Sequence, residues 1–410
     1  MATVKPFAAV LPAPGLEKET AALPYDVYNE EEARAAVAGH PLSFLNIDRP
    51  ETQFPAGTDP YSMPVYEKAR DMIRGRLADG TFVQDPAPCY YLYALTRNGR
   101  TQTGIVGCSS VDDYMNGVIR RHENTRREKE EDRVNHVNIC SAQTGPIFLA
   151  YRHNAELRDL IGEVQMTTAP FFDFTEEDGV RHTGTRISDP DLIAKFEAAL
   201  GRLPATYIAD GHHRAASAVR VSRMRREQNP DYTGEEPFNY FLSVLFPDDE
   251  LNILPYNRVV KDLNGMTPAE FMKKISEHYQ ILSVDKPFQP VKKGTMGMYI
   301  ADSWFELSYK ESIPDDPIRG LDCSILQDTI LQPILGISDP RSDPRIDFVG
   351  GIRGLSELEK RVHTDSKAAF AMVPTQISEL LRVADNHLLM PPKSTWFEPK
   401  LRSGLFIHLI

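Results

Sequence analysis

Apolar and polar positions along this chain follow two periods, and each change of period marks an element. Residues 62–79 place apolar side chains at helical spacing and stop at Asp79-Gly80, which predicts an amphipathic helix. The run Cys89-Tyr90-Tyr91-Leu92-Tyr93-Ala94-Leu95 is β-prone throughout. Asn98-Gly99 turns it, and Thr101–Cys108 returns as the hairpin partner. A polar helix is predicted over 112–135, followed by a strand at Ile147–Tyr151, a helix, and strands on either side of Glu177-Asp178-Gly179. A helix over 189–201 leads into Ala205-Thr206-Tyr207-Ile208-Ala209, which halts at Asp210-Gly211 before a run of helix formers from Ala215. Phe241–Phe246 and Ile253–Val260 read as further strands.

Residues 1–60 carry little regular pattern beyond a helical segment around Glu30–Ala38, preceded by Pro24-Tyr25-Asp26. After Asn264-Gly265 the texture resets. Thr267 is placed to cap a helix at 268–279, Met296–Tyr309 reads as a strand or hairpin, and Ser324–Leu335 is apolar and helical. Ile346–Val349 runs into Gly350-Gly351, helices follow at Ser356–Val362 and Thr375–Asn386, and Gly404–Ile410 is the last strand. The expected division is therefore 1–265 and 266–410, since 410 residues exceed one ordinary core. Interleaved strands and helices, with hairpins among them, give a mixed α/β (α+β) class.

A net charge of −12 argues against a footprint for DNA, RNA or an anionic membrane. Cys89, Cys108, Cys140 and Cys323 lie far apart without a C-x-x-C pair, so free thiols in a reducing cytoplasm fit best. No signal-peptide pattern opens the chain, and no run of apolar residues is long enough to span a bilayer. A cytoplasmic protein without nucleic-acid or membrane partners is expected.

Candidate chemistry concentrates where the strand ending at Asp210 meets its helix. Free N–H groups and the positive end of a helix dipole attract anions. His212, His213 and Arg214 add donors there, and basic residues in a first turn oppose the dipole unless an anion is supplied. The plain alternative is an Asp210 cap with a glycine turn. Adjacent helical positions diverge by about 100°, so His212 and His213 do not converge on one metal. Asp210 would repel a bare phosphate. A carboxylate beside phosphates instead suits Mg²⁺, held directly or through water, with phosphate oxygens completing the shell.

The run from Arg120 to Arg133 has too few apolar residues for a core-facing stripe. It reads as a solvated helix laced with pairs such as Glu123–Arg127, or as a polar site supplied by Arg121, His122, Glu123 and Arg133. Asp26 fits a cap or turn. Phe348–Gly354 resembles a phosphate loop only loosely and reads as a turn, as does Gly104–Gly107. Met390–Lys400 offers Lys393, Ser394 and Thr395 beside aromatics. G-x-S-x-G, H-R-D, D-F-G and H-E-x-x-H are all missing.

Four stretches together resemble domain-of-unknown-function family 1015: Ile208–Arg214, Arg120-Arg121-His122-Glu123, Leu254-Pro255-Tyr256-Asn257-Arg258 and Pro391–Phe397. The Pro24-Tyr25-Asp26 start fits as well, and the resemblance is expected to cover essentially the whole chain. It implies a ParB/sulfiredoxin-like nucleotide-binding core with a C-terminal α/β domain. In that superfamily a turn of this kind holds nucleotide phosphates, a role that falls here on Gly211, His212, His213 and Arg214. The related free-serine kinases carry a similar Asp-Gly-His-His-Arg turn, which implies a small-molecule kinase. The region from about 265 has no counterpart in those small enzymes.

The leading expectation is phosphoryl transfer from ATP or ADP, with Mg²⁺, to a small hydroxylated metabolite, free serine first. Asp210 organises Mg²⁺, Arg120 or Arg121 offsets charge, and Glu123, then Asp26, is the candidate base. His212 is counted with both the phosphate-holding and the catalytic candidates. The rival is a nucleotide-responsive binding module of ParB-like type, without transfer.

Overall fold

The computed structural model of the chain describes residues 1–125 and 127–410. Its contacts divide into two units, Met1–Leu251 with Pro399–Ile410, and Asn252–Glu398. Among the described residues there are thirteen α-helices and two principal sheets, so the class is mixed α/β.

The first unit is built on a nine-stranded sheet. Its order is Ile119–Arg120, Thr206–Asp210, Ile147–Tyr151, Tyr240–Pro247, Arg100–Ser110, Tyr90–Arg97, Arg181–Ile187 and Phe172–Thr175, with Val4–Lys5 added on Arg100–Ser110. Thr206–Asp210 pairs in parallel with Ile119–Arg120 and antiparallel with Ile147–Tyr151. The expected hairpin forms with Arg97 opposite Arg100, and both Asn98 and Gly99 take positive φ, as a tight primed turn requires. The helices Ala155–Thr167, Pro190–Leu200 and His212–Gln228 contribute Leu157, Val164, Phe196, Ala215 and Ala218 to one core with Leu149, Ile208 and Leu245 of the sheet.

The polar helix expected over 112–135 is broken. Helix Val111–Met115 stops at Asn116 and at Gly117, which has φ +76°. Ile119–Arg120 then joins the sheet, and a helix restarts only at Arg127 and runs to Cys140. The β-prone Val118-Ile119 found an open sheet edge, and that pairing outweighed the helical bias of the polar residues around it. Residues 121–125 are thereby irregular, while Arg126 lies outside the described residues. The last strand is also shorter than expected, with only His408–Leu409 in a ladder. The buried side chains Leu405, Phe406 and Ile407 gave that segment its strand-like pattern.

The second unit carries a six-stranded antiparallel sheet in the order Tyr279–Val284, Ser303–Tyr309, Thr295–Ile300, Ala368–Ala371, Tyr256–Val260, Ile346–Gly350. Helix Pro268–His278 is capped by Thr267 and Glu270, as the sequence suggests. The glycines after Phe348 answer to packing. A Cβ on Gly350 would lie 2.9 Å from Trp396, and one on Gly351 2.7 Å from Pro255. Among the described residues no helix is long and apolar enough to cross a membrane.

Candidate functional site

The strand Thr206–Asp210 is buried until its last residue, where the chain turns at Gly211 with φ +96°. That conformation excludes a Cβ at low cost, and a Cβ here would also sit 3.0 Å from Arg214 Nε. Helix His212–Gln228 begins immediately with no side-chain cap, so the plain alternative of an Asp210 cap does not form. Asp210 Oδ1 instead accepts the Gly211 N–H at 2.9 Å. Its Oδ2 accepts from Lys400 Nζ at 3.0 Å, and Arg214 Nη2 stands 3.7 Å away. Burial works to raise the Asp210 pKa, but the Lys400 ammonium and the Arg214 guanidinium outweigh it and hold the carboxyl well below its usual range.

His212 is 5% exposed and His122 2%, and their rings meet edge to face at 4.4 Å between centroids. His122 Nδ1 and His212 Nε2 are buried without a hydrogen-bond partner. Burial, only partly countered by the Asp210 charge, lowers the His122 pKa to about 4. Burial, then the nearby His122, sets His212 well below its ordinary value. Both rings are neutral at neutral pH, each with a ring nitrogen that still needs a partner.

The other sequence candidates spread around this turn. Glu123 Oε2 lies 3.7 Å from His212 Nδ1, on a side chain 58% exposed. Half-buried Arg120 is placed by the Ile119–Arg120 pairing, with its guanidinium 5.6 Å from the Tyr207 ring. Exposed Arg121 turns to Tyr114, its guanidinium 5.0 Å from that ring. His213 is half-buried at the second helical position. Asp26 is exposed in the turn Tyr25–Val27.

A small pocket opens beside Arg214 and is lined by Tyr25, Asp48, Arg133, Thr144, Gly145 and Ser403 among others. Arg133 is buried, with its guanidinium 4.1 Å from the Tyr25 ring centre and Nη2 2.9 Å from Asp132. Thr144 Oγ1 donates to Asp48 Oδ1 at 2.7 Å, and Arg214 Nη1 donates to Pro146 O at 2.5 Å. The Pro24-Tyr25-Asp26 start therefore contributes Pro24 and Tyr25 to the cavity, whereas Asp26 is not among its lining residues. Lys400, Asp48 and Thr144 were missed by sequence reasoning. Only Lys400 lay in a stretch singled out, at the tail of Met390–Lys400.

Backbone N–H groups, two neutral histidines and two flanking cations form a donor set that suits phosphate oxygens. Among the described residues no group of three His, Cys, Asp or Glu side chains could hold a metal ion. Asp210 is a single carboxylate already countered by Lys400.

The family profile described as "Protein of unknown function (DUF1015)" matches residues 4–324. It stops short of Pro391–Phe397, so the match does not extend over the whole chain as expected. No curated protein matches the chain. Among experimental structures, a free serine kinase in complex with AMP is 12% identical, with a TM-score of 0.34, 72% of this chain covered and 86% of that one. A conserved hypothetical protein from Pyrococcus furiosus is 13% identical, with a TM-score of 0.33 and coverages of 75% and 95%. SbnI with C-terminal truncation, from Staphylococcus aureus, is 10% identical, with a TM-score of 0.38 and coverages of 74% and 87%. Likenesses at this level carry no argument for the chemistry. The profile spans well over half of the 410 residues, and the chain belongs to the family of proteins of unknown function, DUF1015.

Proposed function

We propose that this chain is a small-molecule kinase, transferring a phosphoryl group from ATP or ADP to the hydroxyl of a small metabolite, with free L-serine as the first acceptor to test. The observation that carries the reading is the uncapped start of helix His212–Gln228, where the buried His212 Nε2 and His122 Nδ1 lack partners. Nucleotide phosphates there accept from the Gly211–Arg214 turn and from the two rings, with Arg120 and Arg121 offsetting charge. The first unit serves as a ParB/sulfiredoxin-like core on this reading. The cavity beside Arg214 receives the small polar acceptor.

In the transfer, the acceptor oxygen attacks the terminal phosphorus, the bridging P–O bond breaks, and ADP or AMP departs with the electron pair. The hydroxyl proton passes to a carboxylate. Glu123, 3.7 Å from His212, is the first choice for that base and exposed Asp26 the second. Asp210, kept ionised by Lys400 and Arg214, fixes the turn through Gly211 N–H and would hold Mg²⁺ directly or through water. Mg²⁺ bound with the nucleotide supplies charge neutralisation at the phosphates.

The test incubates purified protein with Mg²⁺, ATP or ADP and a panel of hydroxylated metabolites including L-serine, with mass spectrometry of products. Phosphorylated acceptor, lost in Asp210→Asn, is expected. Absence of any such product overturns the reading. Nucleotide binding without product would replace it with a nucleotide-responsive binding module.

A further inference from the structure

The second unit holds a charge that its own residues leave unbalanced. Arg258 lies on the interior strand Tyr256–Val260 and is 4% exposed. Its Nη1 donates to Tyr256 O, its Nη2 to Lys393 O at 3.3 Å, and its guanidinium lies 5.5 Å from the Phe348 ring centre. Both acceptors are neutral carbonyls. Burial, set against the neighbouring Cys323 thiol and Tyr256 phenol, pushes its pKa down. A buried cation is costly unless a counter-charge meets it, which is why folded proteins pair such groups.

A second cation stands at the same place. Lys393 is exposed, and its φ of +55° is a left-handed conformation unfavourable for a residue with a Cβ. That backbone is held by its neighbour, because Ser394 Oγ donates to Pro391 O and Ser394 O accepts from Thr375 Oγ1 at 2.8 Å. The result directs the Lys393 carbonyl to Arg258 while Lys393 Nζ stands 5.6 Å from the Tyr256 ring. Tyr256 meets Trp396 edge to face at 5.2 Å. Two sequence stretches that the proposed phosphoryl transfer does not use are thus joined around two cations.

We infer that the second unit carries an oxyanion-binding site, in which buried Arg258 and surface Lys393 together take a carboxylate or phosphate group beside Tyr256. A guanidinium meets either oxyanion with paired N–H donors, and an ammonium adds a point charge. The inference does not rest on the kinase reading, and neither fails with the other.

Cys323 reports on the site. Its Sγ lies 3.5 Å from Ser394 Oγ, and it is half-buried while the other three thiols are buried. The full chain is alkylated with iodoacetamide in inorganic phosphate, acetate or chloride at equal ionic strength, and labelling of Cys323 is followed by peptide mass. Phosphate or acetate is expected to slow labelling severalfold relative to chloride, and the stronger of the two identifies the group. Phosphate bound elsewhere leaves Cys323 unaffected. Lys393→Ala should raise the half-protecting concentration about tenfold, and Arg258→Gln should abolish protection, with thermal unfolding confirming that each variant is folded. If Arg258→Gln does not fold, Lys393→Ala decides. Equal labelling in the three salts, or protection unchanged in Lys393→Ala, overturns the site.

Discussion

Lys400 Nζ donates to Asp210 Oδ2 at 3.0 Å, so a residue 190 positions away in sequence sets the charge at the start of the helix His212–Gln228. The lysine side chain is 17% exposed and the aspartate 31%, which places the pair between surface and buried limits. Lys400→Met should therefore cost about 1–3 kcal/mol in urea unfolding. It should also loosen the carboxylate that fixes Gly211 and weaken nucleotide binding, read by calorimetry. Lys400→Arg should recover most of both. A Lys400→Met protein of unchanged stability and affinity would show that Arg214 alone suffices for Asp210.

Protonation of the buried histidines should make the first unit sensitive to mild acid. Burial holds His122 at about 4 against an ordinary 6.5, and burial likewise lowers His212 and His408. Between those values the unfolded chain binds protons that the folded chain does not, so stability rises with pH. The contribution is present above about pH 6.5 and declines as pH falls toward 4, by up to about 1.4 kcal/mol per pH unit for each group. Urea unfolding at pH 7.5, 6 and 5 should show that slope, and His122→Gln should reduce it by one group's share while His212 and His408 keep theirs. A wild-type slope unchanged in His122→Gln would mean that other groups carry the acid sensitivity.

The strand, glycine turn and helix at 206–228 were legible because each part has a local cause: β-prone residues, a glycine for positive φ, then helix formers. The Asn98-Gly99 hairpin was legible for the same reason. What was not legible depends on distance. His122 appears on a polar stretch, yet Ile119–Arg120 pairs with Thr206–Tyr207 and carries the following residues inward, leaving His122 buried against His212. The Asn116-Gly117 stop signal was present in the sequence, but the run of charged residues after it masked the break. Lys400, Asp48 and Thr144 carry no local signature, because their partners or the cavity they line are assembled from remote segments.

Gly211 separates the effect of backbone conformation from that of charge. Gly211→Ala places a Cβ at φ +96° and within 3.0 Å of Arg214 Nε, so the guanidinium must move. The conformational penalty alone is about 1–2 kcal/mol. Thermal unfolding should register that loss, and nucleotide affinity should fall with it because Arg214 no longer sits back over the turn. A stabilised or unaffected variant would contradict the left-handed turn itself.

Tyr25 gives the cavity beside Arg214 its most specific test. Burial pushes its phenol up to about 12, so it stays neutral in any ordinary assay. Its ring lies 4.1 Å from the buried Arg133 guanidinium, whose other partners include Asp132 and the Asp48 carbonyl. Tyr25→Phe keeps the aromatic face and should leave both stability and activity close to wild type. Tyr25→Ala removes the face, lets Arg133 shift, and should cost about 1–2 kcal/mol of stability. If the acceptor occupies this cavity, Tyr25→Ala should raise the acceptor KM about tenfold while leaving the nucleotide Kd unchanged. The reverse split, with nucleotide affinity lost and acceptor KM kept, would place the nucleotide rather than the acceptor against Tyr25 and Arg133.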